Sequence, residues 1–273
     1  MNRQRMRSGS IDRRTVVFAG LAASLGAIAP IRALAARVPG AIPILAYHRF
    51  DPAIAGPTTI TVRTFETQLS QLAETGYRVT GLRDAAAALR RPGAGAPSQA
   101  VITVDDGHRS VYTVLFPLIR KHRVPVTLFI YPSAISNADY AMTWDQLREI
   151  AASGLVEVQS HTYWHPNFNA ERRRRSPTDY RAFVDDQLQR SKAVIEARLR
   201  NRVDMLAWPF GIVDAELEAA ARKAGYTVAL AYEGGPAAPG ADLLALPRIP
   251  VSDADRGARF DRLIGVTRPA VRP

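Results

Sequence analysis

Short apolar, β-rich runs alternate along this chain with amphipathic helical patterns, and that alternation restricts the fold more than any other feature. The runs are Ile42–Tyr47, Ala100–Val104, Val124–Ile130, Leu155–Gln159, Val203–Ala207, Tyr226–Ala231 and Leu244–Val251. Between them, Arg63–Thr75 places Phe65, Leu69 and Leu72 at helical spacing and ends at Gly76. Asp179–Arg200 repeats the pattern with Phe183, Leu188, Val194, Ile195 and Leu199, and Asp214–Ala224 begins on a capping Asp and stops at Gly225. Apolar strands separated by helices pack as a mostly parallel sheet, open or closed into a barrel. The 273 residues fit one such domain as easily as two small ones. Pro92–Pro97 reads as a Gly/Pro loop within the domain, and there is no internal repeat. Cysteine is absent, which excludes disulfides, thiolate metal sites and a cysteine nucleophile.

The N-terminus has the pattern of an export signal. Arg3, Arg5, Arg7, Arg13 and Arg14 precede an apolar run from Thr15 to Ile31, and Ala33-Leu34-Ala35 supplies a small-x-small cleavage pattern. The Arg13-Arg14 pair suggests the twin-arginine route. Residues 1–35 are therefore expected to be a signal and 36–273 the mature domain, periplasmic or secreted. The alternative is an uncleaved anchor, for which the run is at the short end of the ~17–25 residues a spanning helix needs. With cleavage, no stable membrane insertion is expected.

Formal net charge is +11, but no reading helix or aromatic-basic motif accompanies it, so nucleic acid is not an expected partner. The Arg172–Arg175 run precedes a helix and reads as a solvated loop, with contact to an anionic polymer as the alternative.

Three motifs fall at strand ends, where α/β folds keep their chemistry. Thr103-Val104-Asp105-Asp106-Gly107 ends the second run. Two adjacent carboxylates on an apolar strand are costly to bury unless a metal or counter-charge compensates them. Successive strand residues face opposite ways, so both carboxylates serve one site only if the strand stops there, as Gly107 permits. Ser160-His161-Thr162-Tyr163-Trp164-His165-Pro166 ends the fourth run. Its two His at i and i+4 share one face of a helix, or meet in a tight turn if Pro166 prevents the helix. With one carboxylate they make a site with coordination positions left open, the catalytic arrangement. Ala207-Trp208-Pro209-Phe210-Gly211 ends the fifth run. This turn is a corner that could wall a sugar-sized pocket, with a backbone N–H after the Pro facing an oxyanion.

TVDDG, SHTYWH and WPFG in this order resemble the metal-dependent polysaccharide deacetylases of the NodB-homology type, the fourth carbohydrate esterase family. The resemblance covers roughly Ile42 to Val251 and implies a distorted (β/α) barrel that removes N-acetyl groups from an amino-sugar polymer. By position it implies Asp105 as general base, Asp106, His161 and His165 as metal ligands, and Phe210 as the backbone oxyanion donor, with Trp208 and Pro209 beside it. The family usually has an Arg where Ala207 stands, steadying the catalytic Asp; Arg248 is the candidate substitute. No His follows His165, whereas the family's last motif leads into one. Ile44-Leu45-Ala46-Tyr47-His48 offers that strand-plus-His at the front, as in the poly-N-acetylglucosamine deacetylase branch, where the motif is circularly permuted. His48 is then the acid.

The implied cofactor is a divalent metal, Zn²⁺ by default for these ligands, with Co²⁺, Ni²⁺ or Fe²⁺ able to occupy the same triad. The implied partner is an N-acetylated glycan polymer: poly-N-acetylglucosamine, peptidoglycan or a chitin-like chain. Two rivals are a carbohydrate-binding pseudoenzyme and a metal-independent glycoside hydrolase, which needs a second carboxylate ~5–9.5 Å away.

Overall fold

The computed structural model describes residues 39–91 and 98–267, all within the unit Leu34–Pro273. The expected signal, residues 1–35, and the Pro92–Pro97 loop lie outside the described residues. The chain opens with β1 (Ile44–Tyr47), β2 (Arg49–Asp51), β3 (Thr59–Thr61), α1 (Val62–Glu74), β4 (Arg78–Val79), α2 (Leu82–Arg90) and β5 (Gln99–Val104). A π-helical turn at Val111–Leu115 leads into α3 (Phe116–His122), then β6 (Val126–Ile130), α4 (Trp144–Ala152), β7 (Val156–Ser160), α5 (Phe168–Arg174) and α6 (Pro177–Leu199). The last part holds β8 (Met205–Ala207), a 3-10 turn at Pro209–Gly211, α7 (Ala215–Lys223), β9 (Val228–Leu230), β10 (Ile249–Pro250) and α8 (Ala258–Leu263).

The main sheet runs β10-β1-β5-β6-β7-β8-β9 with every pairing parallel, and β4 adds to β5. The sheet curls, so that β9 meets the segment before β10 through a parallel bridge, Leu230 to Leu246. This is the distorted (β/α) barrel the resemblance implies. Alternation along the strands sorts the side chains into two cores. Ile44, Val101, Phe129, Met205, Ala207 and Leu230 pack with Leu82, Ala85 and Leu89 of α2. Leu45, Ile102, Leu128, Val158 and Leu206 pack outward with Phe65 of α1, Leu147 of α4 and Leu188 of α6.

Local signals place the helix ends. Thr61 caps α1 by accepting from the Thr64 N–H, and Asp214 caps α7 by accepting from Leu217. Gly76 and Gly225, both at positive φ, follow the two helices. Two expectations need correction. The Leu244–Val251 run forms strand only at Ile249–Pro250; Pro247 has no N–H, and the Asp242 carboxylate accepts from Leu244 to turn the chain. The Arg172–Arg175 run is not a loop over most of its length: Arg172 to Arg174 form the last turn of α5. Arg172 pairs with Asp214 and Glu216, and Arg175 pairs with Glu171 while lying 4.0 Å over the Phe183 ring. Among the described residues, no helix is long and apolar enough to cross a membrane.

Candidate active site

Strand parity brings the expected residues to one end of the sheet. Ile44, Ala46 and His48 share one face of β1 and its extension, as do Val101, Thr103 and Asp105 on β5, and Gln159 and His161 on β7. Asp105 is fully buried, and its N–H donates to the Tyr47 carbonyl at 2.9 Å. Both carboxylate oxygens accept from Arg248, Nη1 to Oδ1 at 2.8 Å and Nη2 to Oδ2 at 2.7 Å. Arg248, itself fully buried, is fixed by donating from Nε to the Ala231 carbonyl at 2.7 Å and from Nη1 to Thr103 Oγ1 at 3.2 Å. Burial alone would raise the Asp105 pKa, but the Arg248 guanidinium, helped by His161 and His48, holds the carboxyl well below the usual carboxylate range. Arg248 is therefore the counter-charge of Asp105 in the fold.

Asp106 leaves the strand with φ 74°, followed by Gly107 at φ 72°. This reversal returns the second carboxylate to the side that parity would deny it. A Cβ on Gly107 would lie 3.0 Å from Ile130 Cγ2 and 3.1 Å from Ile135 Cδ1, so the turn depends on glycine.

The two His of the second motif meet in a turn and not on a helix, with Thr162 and His165 both at positive φ. The His161 N–H donates to Ile130 O at 2.8 Å, and its Nδ1 donates to Ala207 O at 2.7 Å, which leaves Nε2 as the free lone pair. Nε2 of His161 lies 3.8 Å and Nε2 of His165 3.9 Å from Asp106 Oδ1. One ligand atom from each of these residues falls within 4.8 Å of the others. Donors that each bind one ion at about 2.0–2.2 Å fit such separations, so the triad suits a divalent metal and leaves positions open.

His48 is partly buried, with its ring edge-on to Tyr232 at 5.6 Å. Burial lowers its pKa against the opposing pull of Asp105 and Asp106. Phe210, at φ 56°, is 59% exposed, with its ring 4.6 Å from that of His165. The following Gly211 is obligatory, since a Cβ there would meet Tyr232 N at 2.7 Å. Trp208 does not wall the pocket. It is fully buried, donates from Nε1 to Leu244 O at 2.9 Å and packs edge-on against Phe168, supporting the turn from below. Pro209 is buried as well.

Tyr131 and Tyr140 also stand near this cluster, outside the three sequence motifs. The Tyr131 ring lies 5.5 Å from His165, and its hydroxyl meets that of Tyr140 at 2.8 Å. Tyr131 follows β6 directly, and that strand-end position was the available signal.

The model of one protein family, polysaccharide deacetylase, matches residues 93–229, half of the chain. The chain belongs to this family. It is thus a hydrolase of the polysaccharide deacetylase class, and the matched stretch contains Asp105, Asp106, His161, His165 and Phe210 but neither His48 nor Arg248. YxkH of Bacillus subtilis, which carries the family's name, is 26% identical over 226 residues, 83% of this chain and 77% of that one. The poly-beta-1,6-N-acetyl-D-glucosamine N-deacetylase of Escherichia coli is 25% identical over 246 residues. That alignment covers 77% of this deacetylase but only 36% of the E. coli protein. Two solved structures share the fold at TM-score 0.72 each: Streptococcus pyogenes deacetylase PplD with acetate, 20% identical, and IcaB from Ammonifex degensii, 23% identical. Each alignment covers 83% of this chain, with 99% of PplD and 97% of IcaB.

Proposed function

We propose that this polysaccharide deacetylase hydrolyses N-acetyl groups of poly-N-acetylglucosamine in a metal-dependent reaction outside the cytoplasm. The observation that carries the reading is the Asp105–Arg248 pair set beside the Asp106, His161 and His165 triad. The curated relatives named for poly-beta-1,6-N-acetyl-D-glucosamine support the choice of polymer.

Asp106, His161 and His165 would hold the ion, and the mixed nitrogen and oxygen donor set favours Zn²⁺. Bound there, a divalent ion acidifies water and polarises the acetamide carbonyl. Asp105, kept ionised by Arg248, accepts the water proton as the oxygen attacks the acetamide carbon. The Phe210 N–H, which has no acceptor among the described residues, donates to the oxyanion. His48 returns a proton to the nitrogen as the C–N bond breaks, so acetate and a free amine leave. An amine departs poorly without that proton, hence the need for a separate acid.

The test is acetate release from N-acetylglucosamine oligomers before and after chelation. Activity should vanish on demetallation and return with Zn²⁺ or Co²⁺, and His161→Ala should lose metal and activity together. Undiminished acetate release by metal-free protein overturns the metal-dependent reading, and cleavage of the oligomers without acetate release would favour a glycoside hydrolase instead.

Export rests on the basic and apolar segments of residues 1–35. The secreted protein should begin at Ala36, as read by N-terminal sequencing. An intact N-terminus in the membrane fraction would establish the anchor instead.

A further inference from the structure

Tyr232 stands two residues beyond β9, and parity with Val228 and Leu230 turns it to the inner face of the barrel. His48 continues the inner face of β1 in the same way. The two rings meet across the seam that closes the sheet, edge-on at 83° with centroids 5.6 Å apart. The Arg248 guanidinium carbon lies 5.8 Å from the centre of the same Tyr232 ring. One aromatic ring therefore neighbours both the acid and the cation that holds the base.

The backbone under that ring is fixed by its neighbours. The Ala231 N–H donates to Leu246 O at 2.8 Å, and the Ala231 carbonyl accepts from Arg248 Nε at 2.7 Å. A Cβ on Gly211 would lie 2.6 Å from Tyr232 Cβ, 2.7 Å from its N and 3.2 Å from its Cα, so the oxyanion turn abuts the stem of the side chain. A Cβ on Gly234 would lie 2.5 Å from Pro247 Cβ, which sets the segment against the residue before Arg248. The ring is thus carried on a braced stretch of chain.

His48 is held by less. Its imidazole makes no hydrogen bond or ion pair among the described residues, and its aromatic contact among them is with Tyr232. An imidazole that moves a proton is ordinarily aimed by a hydrogen bond from its second nitrogen. An edge-to-face contact can aim it as well, because it prescribes the mutual angle of the two rings. The Tyr232 hydroxyl has no hydrogen-bond partner among the described residues either, so the ring is what it offers His48. We infer that Tyr232 is the positioning residue of His48, keeping the imidazole in the orientation that returns a proton to the leaving nitrogen. This rests on the reading of His48 as the acid. The aim of that acid is then set by ring packing across the seam and not by a hydrogen bond.

The experiment measures kcat and KM for acetate release from N-acetylglucosamine oligomers and from an acetate ester, with metal-loaded wild type, Tyr232→Leu, Tyr232→Phe, His48→Ala and the Tyr232→Leu/His48→Ala double variant. Leu keeps the Cβ and backbone that Gly211 approaches and removes the ring. Tyr232→Leu should lower kcat on the amide by about 10–10²-fold, the scale on which a misplaced group costs rate, with KM unchanged. On the ester, whose alkoxide leaves with less help from an acid, it should recover. Tyr232→Phe keeps the ring and should keep the amide rate. The double variant should be no slower than His48→Ala, because an absent acid cannot be misaimed. Tyr232→Met, of similar volume and with the same expectations, stands in if Tyr232→Leu does not fold.

A raised KM with kcat intact would make Tyr232 a wall of the sugar site and overturn the inference. Additive losses in the double variant, or a Tyr232→Phe enzyme as slow as Tyr232→Leu, would overturn it too. Wild-type amide turnover by His48→Ala removes the reading of His48 as the acid, and this inference with it; a slow His48→Ala beside an unimpaired Tyr232→Leu removes the inference alone. Absence of acetate with wild type overturns the deacetylase reading instead. Nuclear magnetic relaxation of the His48 ring, assigned among the five His by its loss in His48→Ala, then decides the positioning. A ring rigid in wild type and Tyr232→Phe but mobile in Tyr232→Leu supports it, and equal rigidity in all three refutes it.

Discussion

Replacing Asp105 by Asn is expected to cut acetate release by about 10²–10⁴-fold, the usual worth of a positioned base, while metal content stays at the wild-type level. The shape of the side chain is kept, and Asp106, His161 and His165 are untouched. What is lost is the ionised oxygen, Oδ2, which lies 3.8 Å from Nε2 of His161 and so faces the ligand cluster. His48→Ala should cost a similar factor on an amide substrate, because the amine then leaves without its proton. The sharper diagnosis comes from an ester substrate, whose alkoxide leaves more easily: His48→Ala should recover there and Asp105→Asn should not. Metal analysis and initial rates on both substrates check this. Wild-type turnover of the amide by His48→Ala would remove His48 from the reaction.

The second large effect concerns Arg248, and stability shows it as clearly as rate. Arg248→Met removes both donors to a fully buried carboxylate. Breaking a buried pair from one side leaves an uncompensated charge and costs about 3–5 kcal/mol. The same substitution also frees the Ala231 carbonyl and the Thr103 hydroxyl from their guanidinium partner. Asp105→Asn should destabilise as well, since it strands a buried cation, although the Asn oxygen still accepts one bond. The double variant should be more stable than the sum of the single losses by about 0.5–3 kcal/mol, the coupling seen for residues in direct contact. Denaturant unfolding of the four proteins measures it. Strict additivity would mean that the two groups do not sense each other in the folded state.

Much of this site can be read from strand parity. Val101, Thr103 and Asp105 alternate onto one face, and Gln159 with His161 onto the matching face of another strand. The same rule, applied past Met205 and Ala207, puts Trp208 on the outer face with Leu206, where it packs against Phe168. A sequence motif is a poorer guide to its direction than the pleat. Asp106 and His165 escape parity because both reach the site through positive φ at residues other than glycine, a conformation imposed by tertiary contacts and invisible in composition. Arg248 is legible as a charge in an apolar run but not as the partner of Asp105, since 143 residues separate them. Helix α4 was within reach: Thr143 and Gln146 form a capping box. Its short apolar stripe competes with the strand pattern on either side.

The pairing of β10 with β1 sets an order in time. The β1 edge waits for a partner some 200 positions later in the chain, Leu45 against Ile249 and Ala46 against Pro250. Local helices and the neighbouring strands β5 to β8 can form as they emerge, but the seam closes only when the stretch holding Ile249 and Pro250 has been synthesised, and pairings so remote in sequence zip slowly. Arg248 arrives with that stretch. Until then Asp105 has no counter-charge and no reason to be buried, so its carboxylate waits for the partner that holds it ionised in the folded site. The Asp105–Arg248 pair comes into being only when that late stretch has joined the sheet.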